Sequence, residues 1–177
     1  VATLISSNSR IVIKNVGVNL LRTGIITTLL EMNANIELIN QREVSGESVA
    51  DIVAGSSNLK GIEIPASRAA SMIDEYPILS IAAANATGIT KMNGLAELKV
   101  KESNRLALTQ ENLVNCGVEA KIEGDSLLIK GGIIQPKNQV QVKTAMDHRM
   151  AMSFLIMGLK IEKGIAWIKQ SALFERA

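Results

Sequence analysis

Between residues 97 and 106 the chain reads Glu97-Leu98-Lys99-Val100-Lys101-Glu102-Ser103-Asn104-Arg105-Leu106. Lys101, Glu102 and Arg105 fall at or just before a predicted helix start, where unpaired N–H groups and the positive end of the helix dipole attract anions. A carboxylate among those cations is a proton-transfer group in waiting. The plainer alternative is a solvated helix start held by an ordinary ion pair. Two further helix starts carry similar types. Asp147-His148-Arg149 opens one, with the chain's single histidine, which reads either as an acid-base group or as a member of a hydrogen-bond network. Asp74 precedes Pro77 and an apolar helix, and reads either as a cap or as a partly buried carboxylate with a raised pKa.

The elements that must position these residues follow from periodicity. Arg10 to Val16 alternates like a half-buried strand, and Arg22 to Met32 carries a helical stripe of Ile25, Ile26, Leu29 and Leu30. Asn33 marks that helix end, and strands Ala34 to Ile39 and Ser48 to Ala54 follow around a polar turn. Gly88 to Gly94 reads as a strand and turn, and Leu106, Leu108, Leu113 and Val114 form a helical stripe ending at Gly117. Strands Val118 to Glu123 and Ser126 to Lys130 come next, and Gly131-Gly132 ends the latter, most simply as a turn. Arg22 aligns with Arg105 and Leu30 with Leu113 at one common spacing, so a β-α-β-β unit repeats. Asp74 to Leu79 echoes Asp147 to Met152. Each begins an apolar helix, Ile78 to Ala86 and Met150 to Lys160, leading through Gly88 or Gly164 into a strand, which extends the module to α-β-α-β-β. Helices that are apolar nearly all round belong inside, enclosed by sheets. Mixed helices and antiparallel pairs make the fold class α+β. In such a repeat the charged ends at Arg22, Asp74, Lys101/Glu102/Arg105 and Asp147/His148/Arg149 converge on one face.

Composition narrows the classes further. At 177 residues the chain is long enough for a proper core, and 47% hydrophobic residues with only 2% aromatics make that core aliphatic. A net charge of +2 gives no bulk basis for a nucleic-acid or membrane-surface partner. No apolar run nears the roughly 18 residues of a membrane span, which leads us to expect a soluble, cytoplasmic protein. Cys116, the only cysteine, rules out an internal disulfide and reads as a packed thiol at a helix end. One histidine and one distant cysteine argue against a zinc site, and no Gly-x-Ser-x-Gly elbow supports a serine triad. Neither a dinucleotide fingerprint nor a Walker-type Gly-Lys-Ser/Thr is present. A start at Val1 with mid-domain character leads us to expect a piece of something longer.

Three strings, Ser71 to Leu79, Leu98 to Leu106 and Asp147 to Phe154, resemble in order and spacing the motifs of the 5-enolpyruvylshikimate-3-phosphate synthase family. The resemblance runs from about Arg10 to about Ile168. It implies an enolpyruvyl-transferase-type domain of repeated β-α-β-α-β-β units with helices buried inside sheets, here incomplete. Residues 1–177 are expected to form one partial domain of a two-domain enzyme whose active site lies in the cleft between domains. The implied reaction moves the enolpyruvyl group of phosphoenolpyruvate to the 5-hydroxyl of shikimate 3-phosphate and releases phosphate, with no cofactor. By the same resemblance Asp74 binds shikimate 3-phosphate and acts on its hydroxyl proton. Glu102 exchanges a proton at the phosphoenolpyruvate methylene, and Arg105 and Arg149 hold its carboxylate. Lys101, Asp147 and His148 complete the implied substrate-binding set.

The departures are specific. Asn104 stands where the family motif has aspartate, which predicts a weaker ion pair at Arg105, and Lys169 to Ala177 replaces the family's final segment. The glycine- and lysine-bearing motif of the opposite domain is absent, so the chain is expected to be inactive alone, and a monomer. A non-catalytic remnant or interaction domain, and the sister transferase acting on UDP-N-acetylglucosamine, are the competing readings.

Overall fold

The computed structural model describes residues 1–132, 134, 136, 140–161 and 167–169, the last group as backbone only. It begins with a short helix, α1 (Ala2–Ile5), followed by strand β1 (Arg10–Gly17), helix α2 (Gly24–Glu31) and the hairpin β2 (Asn35–Val44) and β3 (Glu47–Gly55). Ser45 (φ 53°) and Gly46 (φ 82°) close that hairpin, because a tight turn matching strand twist needs positive φ at both central residues. The second unit comprises β4 (Glu63–Ile64), a 3-10 stretch Ala66–Glu75 and helix α3 (Tyr76–Ala84), then β5 (Gly88–Met92) and a second 3-10 turn, Ala96–Val100. Helix α4 (Arg105–Asn115) and the hairpin β6 (Glu119–Glu123) and β7 (Ser126–Gly131) complete it. The third unit has β8 (Gln141–Lys143), α5 (His148–Met157), a 3-10 turn Gly158–Lys160 and β9 (Trp167–Lys169). The strands form three sheets ordered β1-β3-β2, β4-β5-β7-β6 and β8-β9. β4 runs parallel to β5 and β8 parallel to β9, whereas the hairpin pairs are antiparallel. The mixture is the α+β class that the pattern predicts.

Helix α3 is the axis of the interior. Leu79, Ile81 and Ala82 to Ala84 have no exposed surface, and Tyr76 and Phe154 are the large aromatic members of an otherwise aliphatic core. Fully burying a Leu or Ile is worth about 1.5–3 kcal/mol, so this one helix is a major source of stability. Gly131 ends β7 as expected and lies flush against the end of α3, where a Cβ would collide with the carbonyls of Ala83 and Ala86. Cys116 is the packed thiol expected, and burial pushes its pKa up to about 12.

Several expectations need correction. β1 is an exposed edge strand rather than a half-buried one, with Ile11, Val12 and Ile13 all open to solvent. α5 is not enclosed all round: Phe154 and Met157 are buried, but Met152 and Leu155 are more than half exposed. Its main packing partners among the described residues are α3, α4, β8 and the following 3-10 turn, which leave those side chains uncovered. The repeat itself is real, but its register is shifted by one. Ala34 N–H donates to the Leu29 carbonyl (2.9 Å) as Val118 N–H does to Leu113 (3.0 Å), and left-handed Asn33 and Gly117 occupy the same place after each helix. Leu29 therefore matches Leu113, both buried, while Leu30 matches half-exposed Val114. Gly164 and residues 170–177, on which a strand approach and the altered tail were read, lie outside the described residues.

Candidate active site

The site is assembled from three helix starts that the core forces together. Tyr76 and Pro77 fix the beginning of α3, with proline in its first turn, where no N–H is needed. Asn104 caps α4 by accepting from the N–H of Ala107 (3.0 Å), and Asp147 caps α5 by accepting from the N–H of Arg149 (2.9 Å). α3 packs against both α4 and α5, so the three N-terminal ends sit side by side.

Arg105 is at the centre and is fully buried. Its Nε donates to Asp147 Oδ2 (2.7 Å), its Nη1 to Asp74 Oδ1 (2.9 Å), and its Nη2 to Glu102 Oε2. A guanidinium is the one side chain that can serve three carboxylates in a fixed plane while keeping its charge. Asp147 is equally buried and has no free face: Oδ1 holds the helix cap, and Oδ2 also accepts from the Ser103 hydroxyl (3.0 Å). Asp147, read from the resemblance as substrate-binding, is therefore placed to orient Arg105 and the start of α5. It presents nothing to a cleft.

Around this buried pair the other groups are open. Asp74, Glu102, Arg149 and Lys101 all keep solvent-facing surface, with side-chain exposures of 40%, 58%, 33% and 24%. Arg149 donates to the Asp74 carbonyl (3.1 Å) and pairs with Asp74 Oδ2 (3.5 Å), while Lys101 Nζ lies 3.7 Å from Asp74 Oδ1. Asp74, Glu102 and Arg149 thus face one edge, as predicted. Asp74 is not a helix cap, and its pKa is not raised. Burial is the largest single influence and pushes its carboxyl up, but Arg149, Lys101 and Arg105 together outweigh it and hold it below the usual range. For Asp147 too, desolvation pushes up and the bonds from Arg105 and Ser103 win, so it is also held low.

The cluster differs from the open anion receptor that the charge pattern implied. Lys101 and Glu102 lie just before the helix start as expected, in the loop between the 3-10 turn Ala96–Val100 and α4. Each cation is already paired: Lys101 also with Glu97, Arg149 also with Glu75 (3.8 Å). The hydrogen bond that Lys101 donates to Glu97 leads the influences that hold its ammonium above the usual pKa. Of the three carboxylates on Arg105, Glu102 is the most exposed. Among the described residues no hydrogen bond joins the Asn104 side chain to Arg105. Helix capping is its task here. His148 is exposed on the first turn of α5 and makes no hydrogen bond to a described residue, and Arg22 is exposed in the turn before α2, away from the cluster's ion pairs. Sequence reasoning missed Ser103, Glu97 and Glu75 as members of the network. The i,i+4 spacing of Glu97 and Lys101 was the one signal available for any of them.

Beside the charges, α3 and α5 leave a groove of about 440 Å³ lined by Asp74, Ile78, Arg149, Met152, Ser153, Leu155 and Ile156. One end is charged and the wall is apolar, the usual arrangement of a small-molecule site.

The fold is that of the enolpyruvyl transferases: the structure of the enolpyruvyl transferase NikO from Streptomyces tendae aligns with a TM-score of 0.64 at 17% identity, covering 90% of this chain and 34% of that one. Within that class the likeness to EPSP synthase from Acinetobacter baumannii is much stronger, with a TM-score of 0.85 and 37% identity over 91% of this chain and 38% of that one. The EPSP synthase (3-phosphoshikimate 1-carboxyvinyltransferase) family model matches residues 1–176, and the chain belongs to that family. The 3-phosphoshikimate 1-carboxyvinyltransferase of Methylorubrum populi is 52% identical over 165 residues, 93% of this chain and 36% of its own length. That of Paramagnetospirillum magneticum is 51% identical over 166 residues, 94% of this chain and 37% of its own. The chain thus spans little more than a third of the curated relatives it matches. No helix among the described residues is long and apolar enough to cross a membrane.

Proposed function

We propose that this chain is one partial domain of a two-domain 3-phosphoshikimate 1-carboxyvinyltransferase and supplies one wall of its active site, working in the cytoplasm without a cofactor. Its substrates are shikimate 3-phosphate and phosphoenolpyruvate. The observation that carries the reading is the convergence of Asp74, Glu102, Lys101 and Arg149 around buried Arg105 on one edge.

The chemistry suits these groups. Adding the 5-hydroxyl to C2 of phosphoenolpyruvate requires a proton at C3, and expelling phosphate requires that a proton then leave C3. Glu102, the most exposed carboxylate beside Arg105, is the group for both transfers. Asp74 is ionised at neutral pH, since its cations hold its pKa low. It therefore accepts the hydroxyl's hydrogen bond, taking the proton as the oxygen becomes acidic on bonding to carbon. Arg105 and Arg149 grip the enolpyruvyl carboxylate and Lys101 and His148 line the anionic substrates, with Asp147 acting through Arg105. A single wall neither excludes water nor holds both substrates in register, so the isolated chain turns over negligibly.

The test is a chimera in which this chain replaces the matching segment of the Methylorubrum populi enzyme, assayed by phosphate release. We expect activity, with Glu102→Gln and Asp74→Asn each lowering kcat by about 10²–10⁴-fold. A chimera indifferent to both substitutions would sink the assignment. Turnover by the isolated chain at a rate near the complete enzyme's would sink the one-wall reading instead.

A further inference from the structure

Ala145 (φ 46°) and Met146 (φ 62°) are consecutive left-handed residues with a Cβ, in the turn that runs from the end of β8 to Asp147. Left-handed backbone is disfavoured for such residues and persists only where the surroundings impose it. The turn's own side chains offer little hold. Ala145 and Met146 are exposed, and the buried Thr144 hydroxyl makes no hydrogen bond to a described residue. Asp147 N–H donates to the Thr144 carbonyl (2.8 Å) across the turn, and the rest of the support comes at its two ends.

Helix α4 holds both ends. At one, Arg105 Nε donates to Asp147 Oδ2 (2.7 Å). At the other stands Asn112, about two turns further along α4, without exposed surface. Its Nδ2 donates to the Lys143 carbonyl (2.8 Å) and its Oδ1 accepts from the Lys143 N–H (2.9 Å). A carboxamide offers a donor and an acceptor as a peptide does, so Asn112 does for the end of β8 what a neighbouring strand would do. Asn115 reaches the Gln141 carbonyl (3.4 Å) on the same edge. The preceding repeat is built alike. With Leu29 matching Leu113, Asn112 falls on Thr28 and Asn115 on Glu31 of α2. Those two side chains hold Arg68, in the 3-10 stretch that leads to Asp74: its Nη1 donates to Thr28 Oγ1 (3.1 Å) and its guanidinium pairs with Glu31 (2.6 and 2.7 Å). Equivalent positions on α2 and α4 thus secure the lead-ins to the two aspartates that meet at Arg105.

We infer that Asn112 is a positioning residue: it anchors the left-handed turn so that Asp147 meets Arg105 and α5 carries Arg149 to the substrate edge. Its consequence for catalysis rests on the reading above that Arg105 and Arg149 grip the enolpyruvyl carboxylate; its geometry does not, and is tested first. In the 15N-labelled 177-residue chain, Asn112→Leu, which keeps the volume and removes both hydrogen bonds, should speed solvent exchange of the Arg105 Nε–H about tenfold, while the buried Ile81 amide of α3 keeps its rate. Asn112→Ala should do the same, and serves if the leucine variant does not fold. Equal acceleration at Arg105 and Ile81 overturns the inference, because Asn112 then stabilises the fold as a whole. An unchanged Arg105 Nε–H overturns it as well. In the Methylorubrum populi chimera the same variant should raise KM for phosphoenolpyruvate about tenfold and leave KM for shikimate 3-phosphate within about twofold. A fall in kcat with both KM values unmoved marks loss of folded enzyme and overturns the positioning role. A chimera inactive before any substitution defeats the proposed function alone, and the Nε–H exchange still decides this inference.

Discussion

Helices α2 and α4 occupy equivalent places in consecutive repeats, yet one begins in a bare turn and the other in a charged network. Before α2, Arg22 is exposed and Thr23 makes no side-chain cap bond; at α4, Asn104 caps the helix and Arg105 is buried against Asp147, Asp74 and Glu102. The scaffold is the same. What differs is the neighbour: α4 packs beside α5, which delivers Asp147, and beside α3, whose lead-in delivers Asp74. A buried guanidinium is tolerable only with such partners, so among the described residues the site lies where three helix starts meet.

The contrast is sharpest in stability. Arg105→Ala leaves Asp147 buried and unpaired and should cost about 3–5 kcal/mol in urea unfolding, whereas Arg22→Ala should stay within about 0.5 kcal/mol. Equal losses would erase the distinction. Leu113→Ala should cost about 2–5 kcal/mol and half-exposed Leu30→Ala less than about 1 kcal/mol. A greater loss at Leu30 would restore the alignment read from sequence. Asn104→Ala should cost about 1 kcal/mol through the lost cap, with Thr23→Ala nearly silent, as read from thermal midpoints. The smallest effect is in acid. Asp147 is held below its ordinary value of 3.8 in the folded state, so its stabilisation is full above about pH 4 and is lost as pH falls toward the folded value. Asp147→Asn should flatten the fall in urea midpoint below about pH 4. A slope unchanged from wild type would show that other carboxylates govern the acid limb.

Much of this was legible in local pattern. Strand and helix periodicities placed β3, β5, α4, β6 and β7 within a few residues and the start of β2 within one, because period-2 and period-3.6 stripes and glycine or asparagine turns are local signals. The three motif strings named the residues that meet. Less legible were the 3-10 stretches before α3 and α4, which have no clean period, and the exposure of Ile11 and Ile13, which depends on what stands beside a strand. The alignment of Leu30 with Leu113 failed for a related reason: two adjacent leucines, Leu29 and Leu30, fit a stripe equally well, and only the left-handed residue after each helix fixes which one points inward.

The amino-acid sequence by itself determined the α+β class, the repeat, the aliphatic core and the charged helix starts, since each follows from residue type and spacing along the chain. Tertiary structure decided which charges meet, that Asp147 is an internal brace for Arg105 rather than a cleft residue, and that Asp74 is held ionised rather than neutral. Those outcomes depend on distances between residues far apart in the chain, and on whether burial or the neighbouring cations dominate at each carboxylate, neither of which any local pattern encodes.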